Sequence, residues 1–154
     1  MLTELERVAQ WNERAGVEKK YREITDSEIL DQKSFIQEEY RELMEDGFDM
    51  NNRREVVDAC GDLLVVVAGM LYRLGHNPER VLQLINDSNY SKFVYISSDA
   101  HATMEKYSSD PRYDNVSVDD KGVVRGTVIE TGSNKILKGI NYEPPALDKL
   151  HGIS

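Results

Sequence analysis

Apolar positions recur at helical spacing through roughly the first ninety residues and then change period. Leu5, Val8 and either Trp11 or Ala15 form one stripe. Thr3 stands before it as a helix cap, with Glu4 and Glu6 near the positive end of the helix dipole. Gly16 ends this segment. A second helix starts at Thr25, Asp26 or Ser27 and buries Ile29, Ile36, Tyr40, Leu43 and Met44, with Asp46-Gly47 as its stop. The third runs from Asn52 to Leu74, about 34 Å at 1.5 Å per residue. Its centre, LLVVVAGML, is apolar nearly all the way round, so it should be covered on every side. A chain with four or five helices has little to cover it with, so the cover is expected from a second subunit. Gly75 closes this helix, and Asn77-Pro78 opens a fourth that ends within Ser88 to Phe93.

Beyond Phe93 the pattern shortens. SSDAHATMEKY reads as one short helix capped by Ser98 or Asp99. From Asn115 to Gly139 the runs VSV, VVRGTVIE and KIL are separated by DDKG and TGSN, the spacing of a small hairpin or meander. The tail is extended around Pro144-Pro145. The expected fold is all-α: a four- to five-helix bundle completed by oligomerisation, with a small C-terminal β-hairpin and an extended tail. The chain is read as one domain, 1–154, with a helical core at 1–93 and the short helix, hairpin and tail at 94–154.

Composition narrows the partners. The chain has 154 residues, 40% hydrophobic and 31% charged, enough to bury a core. A net charge of -9 argues against a nucleic-acid-binding surface, which needs clustered Lys and Arg. No apolar run approaches the ~20 residues that span a bilayer. With no signal-like N-terminus and the single Cys60, the expected setting is cytoplasmic, away from membranes. Cys60 itself is expected to be a small buried hydrophobe.

Candidate chemistry sits in the second and third helices. Glu38, Glu39 and Glu42 are spaced i, i+1 and i+4, and Glu55, Asp58 and Asp62 follow at i, i+3 and i+7. A solvated face explains any one of these acids. The set is harder to explain that way, because Asp is a poor helix former and Asp58 and Asp62 adjoin the most apolar helix centre. Two carboxylates ~5 Å apart repel by about 3 kcal/mol at an effective dielectric of about 20. Several together cannot all stay ionised without cations. Oxygen-only donors select a hard cation such as Mg²⁺, with Mn²⁺ possible, whose remaining positions substrate phosphates complete.

EEYRE followed by EVVD resembles the EExxE…ExxD signature of the all-α nucleoside triphosphate pyrophosphohydrolases, the MazG-like and phosphoribosyl-ATP-pyrophosphohydrolase-like group. SNYSKF and KILKGINYEPPAL resemble two further elements of that group, in the same order. The segment from Val94 to Val128 is longer than the turn expected there and is similar to longer phage-type variants. The resemblance implies hydrolysis of a (deoxy)nucleoside triphosphate to monophosphate and pyrophosphate, and a homodimer or homotetramer. It implies Glu39, Glu42, Glu55 and Asp58 as metal ligands, Asp62 as an auxiliary, and Glu38 or Glu39 as ligand or water-activating base. Asn89 and Lys92 become candidates for phosphate binding, and Lys138 and Tyr142 for closing the pocket. Trp11 either stacks on the base or belongs to the core. Two other readings stay open: phosphoribosyl-ATP hydrolysis in histidine synthesis, which the long C-terminal extension disfavours, and a non-catalytic helical oligomerisation module.

Overall fold

A computed structural model of the chain describes residues 1–19 and 23–153. The element order is α1 (Glu4–Arg14), α2 (Ser27–Glu42), a π-helical turn (Leu43–Asp49), α3 (Arg53–Arg73), α4 (Pro78–Tyr90), α5 (Ser97–Ser108), β1 (Tyr113–Val118), β2 (Val124–Val128), β3 (Asn134–Ile136) and a closing 3₁₀ turn (Leu147–Lys149). They gather into two compact units, residues 1–82 with 148–154 and residues 83–147. The protein is thus mostly helical, and of the hairpin and the meander expected after α5 the structure has the meander, a three-stranded antiparallel sheet in the order β1-β2-β3.

In the first unit, local chemistry sets the helix ends. Thr3 and Glu6 form a reciprocal capping box on α1. Asp26 caps α2 through the Glu28 N–H at 2.9 Å, and Asn52 caps α3 through the Glu55 N–H at 3.3 Å. Each such cap is worth about 1 kcal/mol. The stop expected at Asp46-Gly47 is absent. The chain widens into the π-helical turn, which ends at Asp49, and reverses two residues later at Asn51, whose φ is 50°. Gly47 is buried for a different reason: a Cβ there would lie 2.9 Å from Val56 Cγ2, so glycine permits the close approach to α3.

α1 and α2 both pack on α3. Gln32, buried on α2, donates from Nε2 to the Val66 carbonyl at 2.7 Å and accepts from Arg73 Nε at 2.9 Å. Arg73 also reaches Glu28 at 3.2 Å, and Gly69 leaves room for the Gln32 amide. A buried amide satisfied at both ends fixes the register of two helices, because slipping would strand it. The buried face of α2 is narrower than the periodicity suggests. Ile29 is buried and Ile36 and Leu43 are partly so, but Tyr40 and Met44 are exposed. Within this chain the middle of α3 is not covered all round: Val57, Leu64, Val65 and Val67 face outward, Leu64 at 66%. Cys60 is also exposed, against the expectation of burial.

The second unit has its own core of Val94, Tyr107, Val124 and Leu137, with Val116 and Tyr113 against it. β1 pairs with β2 from Tyr113↔Val128 to Val118↔Val124, broken by a bulge where Asn115 takes a φ of 52°. β2 pairs with β3 through Arg125↔Ile136. The turn between β1 and β2 is built on Asp119, which accepts from the N–H groups of Lys121 and Val123, both at 2.9 Å. Gly122 in that turn has φ +77° and meets the Val94 carbonyl closely enough that no side chain fits. α5 starts at Ser97 without the expected Ser98 or Asp99 cap; its N-cap is Ile96 in extended conformation.

Candidate active site

The acid hairpin is assembled by the packing of α2 on α3. Glu39, half-buried on α2, has its carboxyl pushed above the usual glutamate range. Burial is the largest cause, followed by Asp62, Glu42, Glu38 and Asp58 in that order. Two of these neighbours are on α2 and two on α3, so the two stripes face each other across the helix pair. The family resemblance sets Asp58 ahead of Asp62 as a ligand; in the field at Glu39, Asp62 acts more strongly than Asp58. Glu55 is half-buried at the first turn of α3 and, among the described residues, is not one of those acting on Glu39. Asp58 and Asp62 are exposed in this chain, although their apolar neighbours suggest burial.

The nearby cations do not relieve this repulsion. Arg41 pairs with Glu45 of the π-helical turn at 3.6 Å, both side chains exposed. Each group that acts on Glu39 through charge raises its pKa. Among the described residues, no three His, Cys, Asp or Glu side chains are grouped so that they could hold a metal ion. Closing the carboxylates on a cation therefore takes rotamer changes, which exposed Glu and Asp side chains make readily. The donor chemistry fits a hard divalent cation: carboxylate oxygens only, mutually repelling, with one already held towards its protonated form.

The other predicted residues divide between the units. Trp11 is 66% exposed, so it is not a core tryptophan here. It lines a cavity of about 730 Å³ with Val8, Arg7, Arg14, Glu4 and Val65, and none of the six acids is in that lining. Asn89, Lys92, Lys138 and Tyr142 all lie in the second unit. Lys92 Nζ donates to Asn89 Oδ1 at 2.7 Å, and Lys138 Nζ stands 4.1 Å from the centre of the Tyr142 ring. The Tyr142 phenol is lowered from its ordinary value, first by a hydrogen bond with Ser88 and further by Lys138 and Lys92. The four residues from two separate motifs thus form one cluster. Ser88 belongs to it and sequence reasoning passed it over, although the SNYSKF element begins on it.

A family model described as phosphoribosyl-ATP pyrophosphohydrolase matches residues 3–89, more than half of the chain. The chain belongs to that family, part of the MazG-like group of nucleoside triphosphate pyrophosphohydrolases. Its class is therefore that of pyrophosphohydrolases acting on nucleotides, which are hydrolases of acid anhydrides. Enzymes of the family are generally dependent on a divalent metal. No curated protein matches the chain. The match covers both acid-bearing helices and ends at Asn89, before α5 and the sheet. Among the described residues, no helix is long and apolar enough to cross a membrane.

Proposed function

We propose that the protein hydrolyses a (deoxy)nucleoside triphosphate to the monophosphate and pyrophosphate, in nucleotide-pool control or house-cleaning, with Mg²⁺ or Mn²⁺ held by Glu38, Glu39, Glu42, Glu55, Asp58 and Asp62. The observation that carries this reading is Glu39, a half-buried carboxyl raised by burial and by four other carboxylates from two helices. When bound, a divalent cation neutralises phosphate charge and makes its water a better nucleophile. Glu38 or Glu39 takes the proton of the attacking water. A carboxylate raised above its ordinary value suits that task, because a base works best with a pKa nearer the working pH. The anhydride bond between the α- and β-phosphates breaks, and pyrophosphate leaves with the bonding pair. Asn89, Lys92, Lys138 and Tyr142 bind phosphate oxygens, and Trp11 stacks on the base.

The outward apolar side chains of α3, Val57, Leu64, Val65 and Val67, support a homodimer or homotetramer. A second substrate reading, phosphoribosyl-ATP, is favoured by the description of the matching family. Both substrates carry the same anhydride, and the acids serve either.

The test is pyrophosphate release from a panel of triphosphates and from phosphoribosyl-ATP, with Mg²⁺, with Mn²⁺ and with chelator. Release from triphosphates alone supports the first reading, and from phosphoribosyl-ATP alone the second. Absence of release from every substrate, together with an unchanged melting temperature in both ions, would leave a helical oligomerisation module.

A further inference from the structure

The segment between the two lysine-bearing motifs lies beyond the family match, and the hydrolysis chemistry gives it no task. Its helix, α5, turns one face to the chain that follows β3. Asp99, Thr103 and Tyr107 are spaced i, i+4 and i+8, so they form one row. Each bonds to that chain. Asn141 Nδ2 donates to Asp99 Oδ2 at 2.6 Å, the Ile140 N–H donates to Thr103 Oγ1 at 3.0 Å, and the Tyr107 hydroxyl donates to the Lys138 carbonyl at 3.0 Å. Thr103 is completely buried and Tyr107 nearly so.

The end of α4 and the residues after it hold the same stretch. The Gly139 N–H donates to the Lys92 carbonyl at 2.8 Å, the Ser88 hydroxyl donates to the Glu143 carbonyl at 2.8 Å, and the Glu143 N–H donates to Ser91 Oγ at 2.9 Å. Gly139 is a position of close approach, since a Cβ there would lie 2.7 Å from the Lys92 carbonyl oxygen. Residues 138–143 are thereby clasped on both sides, and the clasp carries Lys138 and Tyr142. Lys92 and Lys138 both act on the Tyr142 phenol, and neither forms an ion pair with a carboxylate among the described residues. Two unneutralised ammonium groups and a phenol on a fixed backbone suit a phosphate chain, because little side-chain and backbone freedom remains to be lost on binding.

We propose that α5 is a brace for anion binding: Thr103 and Tyr107 are positioning residues that hold Lys138 and Tyr142 in the arrangement that, with Lys92, grips the phosphate chain of the substrate. This rests on the phosphate-binding role given above to Lys92, Lys138 and Tyr142. It assigns the added segment to substrate affinity.

The test is calorimetric titration of the full chain with inorganic pyrophosphate, run as a double-mutant cycle. Lys138→Ala weakens binding by about tenfold, the scale of one charge-assisted contact. Tyr107→Phe, which removes only the hydroxyl, weakens it by about three- to tenfold. The double variant loses less than the product of the two single losses, because Tyr107 acts through Lys138 and Tyr142 and one of the two is already gone. Thr103→Ser retains wild-type affinity and Thr103→Val loses it. If Tyr107→Phe fails to fold, Asn141→Ala, on an exposed side chain, carries the same cycle with Lys138→Ala. Multiplicative losses in the double variant overturn the proposal. So does a fall in melting temperature with pyrophosphate affinity intact, or a wild type that binds no pyrophosphate. Non-additive binding in a chain that releases pyrophosphate from no nucleotide would leave the brace standing and sink the catalytic reading alone.

Discussion

The two units of this protein differ in which charged groups they leave unmatched and in where the chain closes an apolar core. In the unit at 83–147, several polar side chains are matched to backbone inside the unit, while Lys92 and Lys138 form no ion pair with a carboxylate among the described residues. Thr103, Tyr107 and Ser88 each bond to backbone, Asp119 holds its own turn, and Val94, Tyr107, Val124 and Leu137 close a core. In the unit built on α1 to α3, five carboxylates crowd one stretch of helix pair, and Val57, Leu64, Val65 and Val67 stand out from α3. A chain folds despite such local conflicts only when other interactions outweigh them, and such conflicts collect where chemistry is done. The first unit therefore shows what it works on, through the groups it leaves unmatched. The second leaves two ammonium groups, Lys92 and Lys138, without a carboxylate partner among the described residues and holds in place the backbone that carries Lys138.

The largest effect expected from this contrast is on turnover. Glu39→Gln, Glu42→Gln or Asp58→Asn should each lower Mg²⁺-dependent pyrophosphate release by about 10² to 10⁴-fold, the range for losing a general base or an electrostatic anchor. The same changes remove one charge from a repelling group, so the metal-free melting temperature should stay level or rise. They should also abolish any stabilisation by added Mg²⁺, which in the wild type approaches about 2.7 kcal/mol at a hundredfold excess over the dissociation constant. A Glu42→Gln variant that hydrolysed its substrate at the wild-type rate would remove the acid hairpin from the mechanism.

Next in size is the contrast between the two sets of apolar groups. Leu137→Ala opens a cavity in a closed core and should cost about 2–5 kcal/mol in chemical denaturation. Leu64→Ala removes a side chain that is two-thirds exposed in the single chain and should cost under about 0.5 kcal/mol there. If copies associate through α3, the same Leu64→Ala becomes an interface truncation. Sedimentation should then show dissociation at protein concentrations where the wild type stays assembled. Leu64→Ala matching Leu137→Ala in a confirmed monomer would mean the outer face of α3 is covered in some other way.

What could be read beforehand follows the range of the interactions. The helices, the caps at Thr3 and Asp26, and the acid stripes depend on residues within four positions of one another, and these are legible in sequence. The π-helical turn and the burial of Gly47 were not, because both are set by the approach of Val56 from the next helix. The order in which Asp62 and Asp58 act on Glu39 was not legible for the same kind of reason: it depends on the α2–α3 packing, which Gln32 and Gly69 fix across more than thirty residues. The clasp around residues 138–143 is also long-range, whereas the third strand pairs locally with the second and falls on the KIL run. Tyr107 and Lys138, or Ser88 and Glu143, have no local pattern that pairs them. The family resemblance pointed to Asn89, Lys92, Lys138 and Tyr142, but it gave no account of what brings the two motifs together.

The smallest expected effect has opposite signs in the two units. Asp110 in the second unit is held down to about 2, chiefly by its hydrogen bonds with Arg112. A depressed carboxylate stabilises the fold above its ordinary value of 3.8, and that contribution fades as pH falls towards 2. Glu39 behaves the other way. Its native value lies above 4.5, so the native state holds more protons than the unfolded state as pH rises through that window. Stability of the metal-free chain should therefore fall with rising pH from 4.5 up to the raised value, then level off. Denaturation at a series of pH values should show this slope in the wild type and lose it in Glu39→Gln. Saturating Mg²⁺ should flatten or reverse it, since the cation then favours the ionised carboxylates. Arg112→Gln should change only the acid limb below pH 4. A Glu39→Gln profile parallel to the wild type across the window would mean that the carboxylates of α3 do not act on Glu39 in solution.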